Sequence, residues 1–399
     1  MAKTTIEVLN GNRAASYGVI LSKPHVIAAY PITPQTPLIE YIAQAIADGE
    51  LDAKSLEVES EHSAMSALEG ASLAGARTFT ATSSQGLAYM YEPVYRASTL
   101  RLPIVMNIAN REMDSPQTLW CGHSDSVGVR SAGWIQFYAE NNQEILDTTI
   151  QAFKIAESKE VLLPVMVCYD GFFLSHSSEP VEIPNQSDVD SFLPPYQPNQ
   201  AILDPEHPMA IDPLTPSSLL TSYRYKQVKA MEASKEVIKN INKEYYNKFG
   251  RNYHGLIEAY KCEDAEAILV TTGSMTGTAR YIVDKFRLEG NRLGLIKLRV
   301  LSPFPAEELV KHTSQAKAIG VIDRHVQFYS GTGTAYLELK SALYDHESQP
   351  IVIAFIAGLG GAEIGIKELQ QAAKTTLNAS KKNEKPKENI WLNLQGGSK

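Results

Sequence analysis

His25-Val26-Ile27-Ala28-Ala29-Tyr30 runs into Pro31-Ile32-Thr33-Pro34-Gln35-Thr36-Pro37, and the fold is decided at that junction. The first six residues predict a strand. Each proline after them fixes its own φ and pushes the preceding residue into an extended shape, so Thr33 is held at the strand's carboxyl end. Open α/β sheets place their ligands outside that edge. A second stretch, Glu59-Ser60-Glu61-His62, heads a helix rich in small residues: Ala64, Ala67, Gly70, Ala71, Ala74, Gly75 and Ala76. Such a helix must pack closely, which leaves a carboxylate at its start poorly solvated. A plainer account covers each stretch alone: a proline-stiffened turn, and a glutamate that complements a helix N-terminus.

Outward from these stretches the N-terminal half alternates helix and strand. Asn12 is the expected N-cap of a helix over Arg13–Ser22, which Pro24 ends. A helix over Leu38–Asp48 follows the Tyr30 strand, and the Glu61 helix ends near Gly75. Thr78–Thr82 is a β-branched strand, and Ser83-Ser84-Gln85-Gly86 turns into one helix over Leu87–Leu100. Pro103–Ala109 and Leu162–Tyr169 are continuous apolar runs, the pattern of strands buried on both faces. This alternation predicts a doubly wound, mainly parallel sheet in residues 1–255.

From Glu179 to about Ser217 nine prolines fall among Ser, Asn, Gln and Asp. The apolar anchors Phe192, Leu193, Tyr196, Ile202 and Leu203 predict an ordered strap over a neighbouring domain or subunit rather than a loose linker. A long charged helix, Tyr223–Phe249, is capped by Gly250. Residues 256–399 form a smaller α/β domain with strands at Ala267–Thr272, Leu293–Arg299, Ala318–Asp323 and Ile351–Ile356. Gly273-Ser274 opens a helix there; it either cradles a phosphate or is the tight turn that any doubly wound domain needs. Gly358-Leu359-Gly360-Gly361 lacks the spacing of a dinucleotide fingerprint.

The 399 residues suffice for two domains, and 44% hydrophobic with 21% charged residues is ordinary globular composition. A net charge of −8 argues against nucleic acid, and no basic run marks a membrane surface. Met1–Ser16 lacks the apolar core of a signal peptide and no stretch has transmembrane length, so the expected location is cytoplasmic. Cys121, Cys168 and Cys262 are widely separated and form no Cys-x-x-Cys pair, so this chain alone is not expected to hold an iron–sulfur cluster.

Tyr30-Pro31-Ile32-Thr33-Pro34, then Ser60-Glu61 before the small-residue helix, then Asn110-Arg111, resembles in its order the α subunit of 2-oxoacid:ferredoxin oxidoreductases, the pyruvate enzymes above all. The resemblance extends over nearly the whole chain. It includes Gly11-Asn12, Gly133-Trp134, Tyr138-Ala139-Glu140-Asn141, Asp170-Gly171, and Arg299 with Pro303-Phe304-Pro305. It implies a pyrimidine-type thiamine-diphosphate domain followed by a transketolase C-terminal-like domain.

That resemblance also implies the chemistry: oxidative decarboxylation of a 2-oxo acid to an acyl-coenzyme A and carbon dioxide, with electrons passed to ferredoxin. Thiamine diphosphate needs a carboxyl group on ring N1′ to reach its reactive tautomer, and Glu61 matches the family's glutamate; Glu57 and Glu59 are nearby alternatives. Tyr30 and Ile32 line the same cofactor edge. Arg111, following an apolar strand, matches the arginine that takes the substrate carboxylate, a task suited to a forked guanidinium. Thr33 matches the threonine that meets the carboxylate and keto group.

The Gly-Asp-Gly…Asn signature that holds the diphosphate through magnesium is absent from this sequence. The resemblance places Mg2+ and a [4Fe-4S] cluster on a β subunit, with γ and δ subunits carrying ferredoxin-like clusters and coupling functions, and pairs two such heteromultimers. One departure stands out. The pyruvate-type pattern after the arginine is small and apolar, whereas here Arg111-Glu112-Met113-Asp114-Ser115-Pro116 is followed by Trp120-Cys121-Gly122-His123-Ser124-Asp125. If Asp114 faces the site, a branched, aromatic (phenylglyoxylate-type) or oxalate-like acid becomes an alternative to pyruvate. A self-sufficient, non-oxidative transketolase-class enzyme and a non-catalytic scaffold are the competing readings. The missing diphosphate motif opposes the first, and retention of Thr33, Glu61 and Arg111 opposes the second.

Overall fold

The computed structural model describes residues 4–199 and 202–394. Strand β1 (Thr4–Asn10) leads into the helix Gly11–Ser22, and β2 (Val26–Ala28), β3 (Lys54–Leu56), β4 (Thr78–Thr82), β5 (Val105–Asn110), β6 (Ile135–Tyr138) and β7 (Val165–Asp170) alternate with helices. Strand β8 (Ser178–Pro184) returns antiparallel along β1, from Thr4 opposite Pro184 to Asn10 opposite Ser178. Further on come β9 (Ile257–Tyr260), β10 (Ala267–Thr271), β11 (Leu293–Leu298), β12 (Val300–Ser302), β13 (Ala318–Asp323), β14 (Ile351–Ile356) and β15 (Ile390–Trp391).

Two large sheets result. The first runs β3-β2-β4-β5-β7-β6-β12 and is parallel except for β12; the second runs β9-β11-β10-β13-β14-β15 and is parallel except for β9. Every residue of β4, β5 and β7 is buried, which explains the apolar runs that lead through β5 and β7, while β4 (Thr-Phe-Thr-Ala-Thr) meets the same burial with β-branched threonines in alternation.

Several local expectations are corrected. The cap of the first helix is Asn10, whose Oδ1 accepts from the Arg13 amide at 2.8 Å; Asn12 is buried on the first turn. Leu87–Leu100 is two helices, Ser84–Tyr89 and Tyr91–Thr99. Pro93 supplies no N–H to the Tyr89 carbonyl, so the first helix cannot continue through it. The strap contains β8 and a short helix, Gln186–Phe192, and its anchors divide: Phe192 and Leu193 are sealed in, whereas Leu203 is half exposed. Phe192 packs edge-on against Tyr245 of the helix Ser217–Phe249.

The chain recrosses between sheets at Arg299. After β11 it enters β12, which extends the first sheet. The wholly buried Arg299 guanidinium donates to Glu144 Oε1 at 3.0 Å, to Thr148 Oγ1 at 3.0 Å and to the Gly255 carbonyl at 2.9 Å. Lys297 joins Glu144 at 2.6 Å and Glu140 at 3.0 Å, and Arg280 closes on Glu140 at 2.8 Å. Buried charges endure when paired and hydrogen-bonded, so this network fixes how the two sheets sit together.

Candidate active site at the carboxyl edge of the first sheet

The carboxyl ends of β2, β4, β5 and β7 deliver Thr33, the Ser83–Gly86 turn, Arg111 and Asp170 to one edge. The Thr33-Pro34 turn is held from three sides. Asn12 Nδ2 donates to the Pro34 carbonyl at 2.9 Å, and the Tyr169 hydroxyl donates to Asn12 Oδ1 at 2.8 Å. The Arg111 Nη1 donates to the Thr33 carbonyl at 3.3 Å. The Thr33 side chain is exposed and its hydroxyl makes no hydrogen bond among the described residues; Tyr30 is exposed and Ile32 half buried on the same rim.

Glu61 opens the helix Glu61–Leu73, capped by Ser60, whose hydroxyl accepts from the Ser63 amide at 3.2 Å. The glutamate is only 8% exposed. Its carboxylate has neither a hydrogen bond nor an ion pair among the described residues. A Cβ added to Gly86 would sit 2.7 Å from Glu61 Oε1, so the turn after β4 closes tightly on that carboxylate and a larger residue there would push it aside. Glu59 is exposed and engaged by Ser63 at this helix start, whereas Glu61 turns inward.

Arg111 is 5% exposed. Its Nε donates to the Thr118 carbonyl at 2.8 Å, and no carboxylate of the described residues lies within ion-pairing distance of its guanidinium. A buried cation without an anion is costly, so the site has the chemistry of an anion receptor. Asp114 is exposed, and its carboxylate is taken by the Gln85 amide and, at 3.4 Å, by the Thr118 backbone. Glu112 turns inward against Gly122 instead, and burial pushes its carboxyl above the usual range.

Asp170, at the end of β7, is buried against His123 at 2.6 Å and Ser274 of the second domain, with Arg324 at 3.7 Å. Although burial opposes its charge, Arg324 and His123 hold its carboxyl far below the usual range. The helix start at Gly273-Ser274, open in the sequence to a phosphate, is thus filled by a protein carboxylate. Cys121, His123 and Asp170 bring three ligand-type atoms within 4.8 Å of one another, but the Arg324 guanidinium shares that space and supplies the countercharge.

Asp125 and Asn12 are site residues that sequence reasoning missed. Asp125 stood there as one acid of an unusual segment, and Asn12 as a helix cap. Neither role leaves a spacing signal, because both depend on partners far along the chain.

With this geometry in hand, the comparisons are specific. Residues 17–243 match the profile described as pyruvate flavodoxin/ferredoxin oxidoreductase, thiamine diphosphate-binding, and residues 265–369 match the pyruvate:ferredoxin oxidoreductase core domain II. The chain belongs to the pyruvate flavodoxin/ferredoxin oxidoreductase family. It is 46% identical over 391 residues to the pyruvate synthase subunit PorA of Methanothermobacter thermautotrophicus, covering 98% of each chain. It is 44% identical over 398 residues to the α subunit of the NADH-dependent phenylglyoxylate dehydrogenase of Aromatoleum evansii, covering 98% of this chain and 95% of that one. The ketoisovalerate oxidoreductase subunit VorA of Pyrococcus horikoshii is 43% identical, with 98% of both covered.

In fold, this oxidoreductase chain resembles 2-oxoglutarate:ferredoxin oxidoreductase from Magnetococcus marinus (TM-score 0.69, 19% identity, 93% of this chain and 65% of that one). It also resembles a split-gene transketolase (TM-score 0.52, 12% identity, 92% of this chain and 98% of that one). The relatives are named as subunits, so the family member works within a multi-subunit enzyme. No helix among the described residues is long and apolar enough to cross a membrane.

Proposed function

We propose that this chain is the α subunit of a coenzyme A-dependent 2-oxoacid:ferredoxin oxidoreductase, with pyruvate as the first-choice substrate, and that it supplies the cofactor-activating and carboxylate-binding half of the active site. One observation carries the reading: a buried carboxylate without a partner, Glu61, and a buried guanidinium without a counter-anion, Arg111, lie on the same sheet edge. Each is unstable in isolation and each fits a group of a ternary complex.

The residues fit thiamine diphosphate: the Glu61 carboxyl can hold a proton at the pyrimidine N1′, and the close approach of Gly86 keeps that carboxyl in place. When bound, that cofactor supplies the carbanion equivalent and electron sink that decarboxylation of a 2-oxo acid requires. Tyr30 and Ile32 line the rim, and the Thr33 hydroxyl and Arg111 fork orient the substrate carboxylate and keto oxygen. Pro31 and Pro34, with the Asn12 bond, keep that rim rigid.

Magnesium, the diphosphate anchor and the [4Fe-4S] clusters belong, on this reading, to β, γ and δ partner subunits, with ferredoxin as acceptor, in a cytoplasmic dimer of heteromultimers. The domains read as 1–255 and 256–399 are joined by β12, a strand of the second that extends the sheet of the first. The first turns of Ser217–Phe249 support assembly: residues 217–229 are exposed on nearly every side and carry Leu219, Leu220, Tyr223 and Tyr225. A helix segment so uncovered gains its stability from a neighbour.

A second reading, the same chemistry on an aromatic 2-oxo acid, is favoured by one feature. A cavity of about 480 Å³ lies beside the Arg111 loop, walled by Trp120, Phe172 and Phe173, and one relative acts on phenylglyoxylate by its name. The test is reconstitution with the partner subunits and measurement of ferredoxin reduction with pyruvate, 2-oxoisovalerate, 2-oxoglutarate, phenylglyoxylate and oxalate. Turnover of none of these, with loaded cofactor and clusters, overturns the proposal.

A further inference from the structure

Asp125 is 3% exposed and accepts four N–H donors. Its Oδ2 takes the Ser84 amide at 3.1 Å and the Arg111 amide at 3.0 Å; its Oδ1 takes Asn110 Nδ2 at 2.7 Å and its neighbour Ser126 N at 2.7 Å. No cation of the described residues pairs with it, so its charge is dispersed over neutral donors alone, which is the arrangement of a structural clasp rather than of an ion pair. The two amides on Oδ2 belong to different strand ends. Ser84 follows β4 and stands at φ +46°, a left-handed conformation that a serine adopts only under constraint. Two residues on, Gly86 closes against Glu61. Arg111 follows β5. Ser84 also donates through its hydroxyl to the Glu112 carbonyl at 2.8 Å, so the two loops are stitched on both sides of the carboxylate.

We propose that Asp125 is a positioning residue of the 2-oxo acid site: one carboxylate oxygen, shared between the Ser84 and Arg111 amides, sets the separation between the Glu61 wall and the substrate-binding guanidinium. The inference rests on the 2-oxo acid reading above. Glu61 itself is anchored by its own helix and by Ser60, so loss of the clasp displaces Arg111 and the substrate more than the cofactor carboxyl. Asn at this position keeps the shape but offers only one acceptor oxygen and turns an NH2 group toward two of the four donors.

The assembled complex with Asp125→Asn is therefore compared with wild type in three measurements: KM for the best 2-oxo acid, thiamine C2 proton exchange, and melting temperature. KM rises by on the order of 10- to 100-fold, the scale of a roughly 1 Å misplacement in an active site, while C2 exchange stays near wild type. Asp147→Asn is the control. Asp147 is equally buried, held by Arg251, Tyr245 and Tyr253; its variant lowers the melting temperature and leaves KM unchanged. If Asp125→Asn fails to assemble, Asn110→Ser, which removes one donor from Oδ1 and the Nδ2 bond to Ser126 Oγ, is measured in its place, and its KM rises by a smaller factor. Unchanged KM in the variant measured, or loss of C2 exchange in proportion to KM, overturns the inference. A wild-type complex inactive on every 2-oxo acid fails the underlying reading instead.

Discussion

Arg111 meets Thr33 through the threonine's carbonyl oxygen, 3.3 Å from Nη1, and not through its hydroxyl. The hydroxyl remains free at the exposed edge, and Nη2 carries no hydrogen bond among the described residues. The turn and the guanidinium are thus pre-set relative to each other while both keep free donors, as the proposed carboxylate site requires.

Arg111→Lys tests that arrangement. An ammonium cannot bond the Thr118 and Thr33 carbonyls and a carboxylate with one planar fork. KM for the 2-oxo acid is expected to rise about 10- to 100-fold, the weight of a charge-assisted hydrogen bond, with C2 proton exchange intact. Steady-state kinetics beside exchange measured by NMR decide it.

Glu61→Gln keeps volume and burial but removes the acidic group. The complex is expected to assemble and bind cofactor while losing on the order of 10²-fold or more in turnover, the scale of a lost acid–base group. C2 exchange at the wild-type rate would move the role away from Glu61; Glu57 and Glu59 would be next to test.

Purified alone, the chain is expected to bind thiamine diphosphate weakly or not at all, because the magnesium–diphosphate anchor is assigned to a partner. Calorimetry with and without Mg2+ is the check. Tight magnesium-dependent binding by the isolated subunit contradicts the division of labour.

Replacing Glu112-Met113-Asp114 by Ala-Leu-Ser asks what the acidic loop selects. Asp114 lies outward on Gln85 while Glu112 packs inward, so the effect is expected to come chiefly from Glu112. If pyruvate is the natural substrate the change is nearly silent. If another acid is, kcat/KM shifts toward pyruvate by about 1–3 kcal/mol of discrimination. A profile unmoved across the substrate panel, in an enzyme whose best substrate is not pyruvate, removes the loop from specificity.

Arg299→Met addresses the seam between the sheets. It strips the donor from Glu144 Oε1 and leaves the buried carboxylate with Lys297 and the Glu140 amide, both on Oε2, and the expected loss is about 3–5 kcal/mol, the scale for breaking a buried pair. Denaturant unfolding of the chain measures it, and a loss below 1 kcal/mol contradicts the structural weight given to that network.

The amino-acid order alone determined the local grammar. Parallel strands announce themselves because β4, β5 and β7 are buried on both faces and are built mostly of apolar or β-branched residues. Thr33, Glu61 and Arg111, the residues proposed for the site, stand out in the sequence because each stands where a strand or a helix boundary is marked by proline, serine or an apolar run. Tertiary structure alone decided what joins them. Asn12 reaches Pro34 across 22 residues, Asp125 reaches Ser84 across 41, and Asp170 fills a helix start 104 residues away. Sheet recrossing by β12 and the break at Met90 belong to the same class. Side-chain hydrogen bonds over such separations leave no period in the sequence, since they are set by where the strand ends come together in space.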